Sequence, residues 1–106
     1  MFNKLCIIGV GLIGGSIARA ARQQGLADNV VGYGRPQDEA NLAAARQLDV
    51  IDDYSLDIGQ AVKGADCTVI ATPVGSIQAV FTVLKPYWSD QAVYTDAVSY
   101  THLRAH

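Results

Sequence analysis

Gly9, Gly11 and Gly14 are spaced to hold a pyrophosphate. They lie in Leu5-Cys6-Ile7-Ile8-Gly9-Val10-Gly11-Leu12-Ile13-Gly14-Gly15-Ser16, where an apolar run feeds a Gly-x-Gly-x-x-Gly turn and an alanine-rich helical pattern follows. In a strand–turn–helix unit the first glycine allows the tight turn. The second removes a side chain where a pyrophosphate must approach, and the third lets the helix press against the strand. The amino end of the helix adds unpaired N–H groups and a partial positive charge. Three glycines at this spacing arise easily by chance. The apolar run before them and the helix after them select the dinucleotide reading over a merely structural turn.

Two further segments would face the same ligand. About twenty residues past the last glycine, NAD-binding units place an Asp or Glu that accepts hydrogen bonds from the adenosine ribose. Gly34 occupies that place and Arg35 follows it. A missing carboxylate removes repulsion against a 2′-phosphate, and a guanidinium beside it suits one. Alternatively, Arg35 is an ordinary surface charge and Asp38 or Glu39 reaches the ribose. Both readings stand at this level, so the cofactor is NAD or NADP. In Ala71-Thr72-Pro73-Val74 the proline stops a β-branched run and Thr72 offers a hydroxyl near the nicotinamide end. A plain strand-ending turn accounts for the same residues. Asp96 and Ser99 point toward the crevice as well, although an Asp in that place also caps a turn. Cys6 and Cys67 show no metal-ligand spacing and read as buried thiols, so no metal site is expected.

These residues need a frame, and the rest of the chain supplies it. Of 106 residues, 50% are hydrophobic and 17% charged, which fits one small domain around a parallel sheet buried on both faces. A net charge of −2 gives no electrostatic case for nucleic acid or an anionic membrane. Lys4, the apolar stretch and Ala18-Arg19-Ala20 loosely imitate a secretory signal. Cleavage there would remove the first strand, and the stretch is too short to span a bilayer, so the protein is taken as cytoplasmic.

Strand and helix patterns alternate. Lys4–Ile8 is a strand, and Leu12–Gln24 a helix with Ile13, Ile17, Ala20 and Ala21 on one stripe. Gly25 in the left-handed conformation stops it. Val30–Tyr33 is the second strand. Pro36 opens a second helix, with Ala40, Ala43, Ala44 and Leu48 at helical spacing, and a short strand follows around Val50-Ile51. Ile58–Lys63 is helical up to Gly64, and Cys67–Ala71 is a strand. Ile77–Leu84 is a helix facing the core through Ile77, Val80, Phe81 and Leu84, and Ala92–Thr95 is the last strand. The alternation predicts an α/β fold: a doubly wound parallel sheet of Rossmann type, order 3-2-1-4-5, with its crevice at the carboxyl ends of strands 1 and 4.

Five ordered motifs resemble the N-terminal nucleotide-binding domain of prephenate dehydrogenases, in particular the cyclohexadienyl (arogenate) type. They are Gly9-Val10-Gly11-Leu12-Ile13-Gly14-Gly15-Ser16, Val31-Gly32-Tyr33, Leu48-Asp49-Val50-Ile51-Asp52, Ala71-Thr72-Pro73-Val74 and Thr95-Asp96-x-x-Ser99. The resemblance implies NAD- or NADP-dependent oxidative decarboxylation of prephenate to 4-hydroxyphenylpyruvate, or of arogenate to tyrosine, within tyrosine biosynthesis. It also implies a homodimer in the full-length protein. By the same resemblance, Gly9, Val10, Gly11, Leu12, Ile13 and Gly14 would hold the pyrophosphate, and Gly34 and Arg35 would meet the adenosine ribose. Ala71, Thr72, Pro73 and Val74 would flank the nicotinamide ribose, and Ser99 would bond near the substrate's ring hydroxyl.

The family's catalytic His lies in a Gly-x-His-Pro segment, which has no counterpart here, so no catalytic residue is assigned. His102 and His106 lack the following proline. Asp49 stands where the family commonly has Gly, a change that Asp tolerates in the left-handed conformation. After Ser99 the family continues with Lys-Gly and a helix, whereas Tyr100–His106 departs from it. The expectation is therefore a dinucleotide-binding domain over 1–99, a non-native tail over 100–106, and truncation before the helical C-terminal domain. Such a fragment should be inactive alone. Two other functions fit the same glycine turn: an oxidoreductase of the β-hydroxyacid dehydrogenase type, and a non-catalytic dinucleotide-sensing module.

Overall fold

In the computed structural model, which describes residues 2–72, 77–88 and 92–96, the centre of the sheet is β1 (Phe2–Ile8), with Leu5 to Ile8 wholly buried. It pairs in parallel with β2 (Ala27–Tyr33) on one side and β4 (Cys67–Ile70) on the other. β3 (Asp53–Ser55) lies outside β2, and β5 (Val93–Asp96) outside β4. The order is 3-2-1-4-5, as expected, and all pairs are parallel, as the alternating pattern requires. Ile8 stands opposite both Tyr33 and Ile70, so the three inner strands end level with one another. That shared edge is where the chain must build its crevice.

Side chains of β1 alternate between two cores. Leu5 and Ile7, with Val30, Cys67 and Val69, pack under α1 (Leu12–Gln23) and α2 (Glu39–Gln47) through Ala18, Ala21, Leu42 and Ala45. Cys6 and Ile8, with Val31 and Ile70, pack under α3 (Ile58–Val62) and α4 (Ile77–Leu84) through Ile58, Ala61, Val62 and Leu84. The two cysteines therefore face opposite sides of the sheet, and both are free thiols. Burial pushes the Cys6 thiol up to about 12. At the opposite edge Asp66 clamps β4 to β1, its carboxylate accepting the N–H groups of Asn3 and Lys4 at 2.9 Å each. Those two donors hold its carboxyl below the usual value.

Both of the first two helices end in the same turn. Gly25, at φ +65, donates to Arg22 O, and Leu26 donates to Ala21 O. Asp49, at φ +60, donates to Arg46 O, and Val50 donates to Ala45 O. This pair of bonds closes the last orphan carbonyls of a helix around one left-handed residue. The expected left-handed Asp49 is thus present.

That turn also corrects the position of the third strand. Val50 and Ile51 are buried, but their N–H groups go to Ala45 O, at 2.9 and 3.4 Å, and not to a ladder. Pairing with β2 begins only when Asp52 N donates to Val30 O, so β3 starts at Asp53. Asp52 fixes this register further, accepting from Val30 N at 2.7 Å and pairing with Arg22 of α1. Two helical faces differ as well. In α2 the buried residues are Leu42 and Ala45, while Ala40, Ala43 and Ala44 are exposed and Leu48 is 73% exposed. Leu42 faces the core, and the closing turn folds Val50 back on Ala45. Among the described side chains of α1 the buried stripe is Gly14, Ala18 and Ala21, with Ile17 packed partly against the core as expected and Ala20 exposed. Pro36 opens a 3-10 turn, Pro36–Asp38, ahead of the α-helix proper.

Thr68 breaks the apolar run of β4. Its hydroxyl is buried without a hydrogen-bond partner among the described residues. An unpaired buried hydroxyl costs about 1–3 kcal/mol, and valine has its shape without that cost. Thr68→Val is expected to stabilise the domain by about 1 kcal/mol, read as a higher urea midpoint at unchanged slope. A lower midpoint would show that the hydroxyl has a partner.

Candidate dinucleotide-binding site

The chain leaves β1 at Gly9, whose φ of +90 favours glycine. Gly9 N donates to Tyr33 O at 3.0 Å, and Ala71 N donates to Ile8 O at 2.9 Å, so the turn is tied to the ends of β2 and β4. A Cβ on Gly9 would meet Thr72 Cγ2 at 2.8 Å. A Cβ on Gly14 would come within 2.3 Å of the Gly9 carbonyl oxygen, so the close approach of α1 to the turn requires glycine there. Gly11 is different in kind. Nothing lies within 4 Å of its Cβ position, and it is exposed. Two of the glycines thus answer to the protein's own atoms, and the middle one to open space.

That space lies at the amino end of α1. Gly11 is the N-cap and makes no side-chain cap, and no acidic residue lies in the first turn. The first N–H groups of an α-helix have no intrahelical acceptor, so they are directed at whatever occupies the space. Thr72, against Gly9 of the same turn, has its hydroxyl buried with no partner among the described residues. Open cradle, unsatisfied donors and an orphaned hydroxyl together fit a phosphate-bearing ligand with further hydrogen-bonding groups. The other residues singled out from the sequence are placed less evenly. Val10 packs its side chain on the α1–α2 core, so only its backbone belongs to the turn. Ala71 also packs there. Pro73, Val74 and Ser99 fall outside the described residues, as do the side chains of Leu12, Ile13 and Asp96.

At the end of β2, Gly34 is buried. A Cβ there would meet Leu42 Cδ1 at 2.9 Å and Asp38 Cβ at 3.1 Å. Arg35 is not a lone surface charge. Its backbone N and Nε donate to Asp38 Oδ2 at 3.1 and 3.2 Å. The guanidinium bond first, and the backbone bond second, hold the Asp38 carboxyl below its usual value. Sequence reasoning named Asp38 only as an alternative. Its signal was the Pro36 turn, which brings residue 38 back beside residue 34.

A concavity of about 660 Å³ lies elsewhere, lined by Asp57, Lys63, Asp66, Tyr87 and Ala92 at the amino ends of β4 and β5. In open α/β sheets ligands bind at the carboxyl ends, which favours the glycine turn. No helix among the described residues is long and apolar enough to cross a membrane.

A doubly wound parallel sheet with a glycine turn between its central strand and first helix defines a Rossmann-type nucleotide-binding domain. The family model for the prephenate dehydrogenase nucleotide-binding domain matches residues 17–102, and the chain belongs to that family. The match begins beyond the glycine turn, so the family assignment does not lean on those glycines. A prephenate dehydrogenase of Bacillus subtilis is 38% identical over 74 residues, which are 70% of this chain and 19% of that protein. A cyclohexadienyl dehydrogenase of Zymomonas mobilis is 30% identical over 99 residues, 93% of this chain and 33% of that one. The crystal structure of prephenate dehydrogenase from A. aeolicus, in complex with hydroxyphenyl propionate and NAD+, superposes with a TM-score of 0.81 at 26% identity. It covers 91% of this chain and 33% of that one. The chain spans a third or less of the length of these relatives.

Proposed function

We propose that this chain binds a nicotinamide dinucleotide, NAD or NADP, for a cytoplasmic dehydrogenase that oxidatively decarboxylates prephenate or arogenate. The observation that carries the reading is the open space over Gly11, framed by glycines 9 and 14 that pack against the protein itself. Family membership supports the choice of dinucleotide and of substrate class.

Gly9, Val10, Gly11, Leu12, Ile13 and Gly14 would line the pyrophosphate; the Gly9 and Gly11 N–H groups are bonded to Tyr33 O and Gly9 O, so the N–H groups of the first turn of α1 would take it. The end of β2 at Gly34 and Arg35 would meet the adenosine ribose. Ala71, Thr72, Pro73 and Val74 would flank the nicotinamide ribose, with the Thr72 hydroxyl gaining the partner it lacks, and Ser99 would lie nearest the substrate. When bound, the nicotinamide ring supplies the hydride acceptor. The chain's own part is to bind and orient, which converts an encounter into a positioned reaction.

Calorimetric titration is expected to show saturable binding of NAD or NADP to the folded chain. No binding of either at millimolar concentration would overturn the proposal. The chain alone is expected not to reduce cofactor with prephenate or arogenate, because residues 1–106 contain no Gly-x-His-Pro segment to polarise the ring hydroxyl. Turnover by the chain alone would move the catalytic centre into these residues.

A further inference from the structure

The end of β2 lacks the carboxylate that usually meets the adenosine ribose, yet a carboxylate is there. Asp38 Oδ2 lies 3.5 Å from the point where a side chain at position 34 would begin. An Asp or Glu at 34 would put its own oxygens in the same small region. The 3-10 turn Pro36–Asp38 makes this meeting possible by folding the chain back within four residues. Asp38 N donates to Arg35 O at 2.8 Å and closes the turn.

We infer that Asp38 takes the place of the carboxylate missing at position 34 and accepts a hydrogen bond from the adenosine ribose 2′-hydroxyl, so that the domain prefers NAD to NADP. The inference rests on the nicotinamide-dinucleotide reading above. Its geometry is that of an anchored acceptor. Oδ2 receives both Arg35 N and Arg35 Nε, while Oδ1 takes no hydrogen bond among the described residues. The side chain is 36% exposed, so Oδ1 is within reach of a ligand. An ionised carboxylate only accepts, and a ribose hydroxyl is a donor that suits it.

Arg35 argues for the opposite choice only if it is free to turn to a phosphate. Its Nε is engaged by Asp38, and a 2′-phosphate carrying about −2 would sit beside the Asp38 charge. Exposed ion pairs are weak, so the pair by itself would not hold Arg35 back. The like charge is the stronger deterrent, because it remains wherever the guanidinium swings.

The test is calorimetric titration of the chain and its Asp38→Asn variant with NAD and with NADP. Asparagine keeps the size and an acceptor oxygen but removes the charge. Asparagine also keeps an acceptor for Arg35 N across the 3-10 turn, and Asp38 makes no side-chain cap on α2, so the variant should melt within a few degrees of the parent by circular dichroism. The parent is expected to bind NAD at least tenfold tighter than NADP, and Asp38→Asn to lower that ratio by tenfold or more. Arg35→Ala leaves the carboxylate in place and should keep the preference for NAD, which provides a second reading if Asp38→Asn fails to fold. A parent that binds NADP as tightly as NAD overturns the inference. An unchanged ratio in Asp38→Asn, or a selective loss of NADP affinity in Arg35→Ala, does the same. All three leave the dinucleotide reading intact. A parent that binds neither cofactor overturns both.

Discussion

Gly14→Ala is expected to destabilise the domain by about 1–2 kcal/mol, while the same change at its neighbour Gly15 stabilises it by up to about 1 kcal/mol. Both glycines lie in the first turn of α1, and alanine in a helix gains up to about 1 kcal/mol over glycine. The two sites differ in what the new methyl group meets. At Gly15 nothing lies within 4 Å, so the gain is uncompensated. At Gly14 the methyl would stand 2.3 Å from the Gly9 carbonyl oxygen and 3.2 Å from Ile7 Cγ2. The Gly9 oxygen cannot yield cheaply, because it belongs to backbone that also accepts from Gly11 N at 3.1 Å and is held to β2 through Gly9 N. Either the helix lifts off the sheet, opening the core around Ala18, or the turn distorts. Overpacking of this kind costs about 1–3 kcal/mol and occasionally more, which outweighs the helical gain. A domain of this size loses roughly 4–8 °C of melting temperature per kcal/mol. Thermal denaturation of the two variants side by side checks the claim. Equal melting temperatures would mean that α1 does not press on the turn.

The same contacts show what could be read from the sequence and what could not. The glycine turn, the five strands in their order and the left-handed stop at Gly25 were legible, because each depends on local pattern or on the usual topology of the fold, and the turn at Asp49 followed from the family resemblance. The position of the third strand along the chain was not. Val50 and Ile51 look like a buried β-branched pair, and they are buried, but α2's closing turn takes their N–H groups first. Apolarity signals burial, whereas strand membership depends on where the backbone donors go. The buried face of α2 was missed for a related reason. Alanines at helical spacing mark a helix but hardly weight one side of it, and Leu42 and Leu48 lie on different faces, of which only that of Leu42 meets the core. At the site, residue types gave the glycines, and only geometry divided them by role. Likewise, Asp38 stood four places away from the expected position in sequence and beside it in space.

The division of roles makes Gly11→Ala the sharpest test of the site. Alanine at Gly11 is expected to leave the fold nearly unchanged and to weaken dinucleotide binding by about a hundredfold or more. The backbone there has φ −111, outside the left-handed region, and a Cβ would touch nothing. Gly11 is the N-cap of α1, where alanine is a poorer choice than glycine, so a loss of stability of about 1 kcal/mol or less is allowed for. The methyl would instead fill the space over the helix amino end, where phosphate oxygens must come within about 3 Å of backbone N–H groups. Losing two charge-assisted bonds of about 1.5–3 kcal/mol each comes to at least about 3 kcal/mol, or a factor of one hundred or more. The test needs both readouts, melting temperature and affinity, on the parent and on this variant. A variant that melts like the parent and binds NAD or NADP equally well would show that the ligand does not lie over the turn. The open space at Gly11 would then be a bare surface, and the dinucleotide would have to be sought elsewhere along the sheet's carboxyl edge.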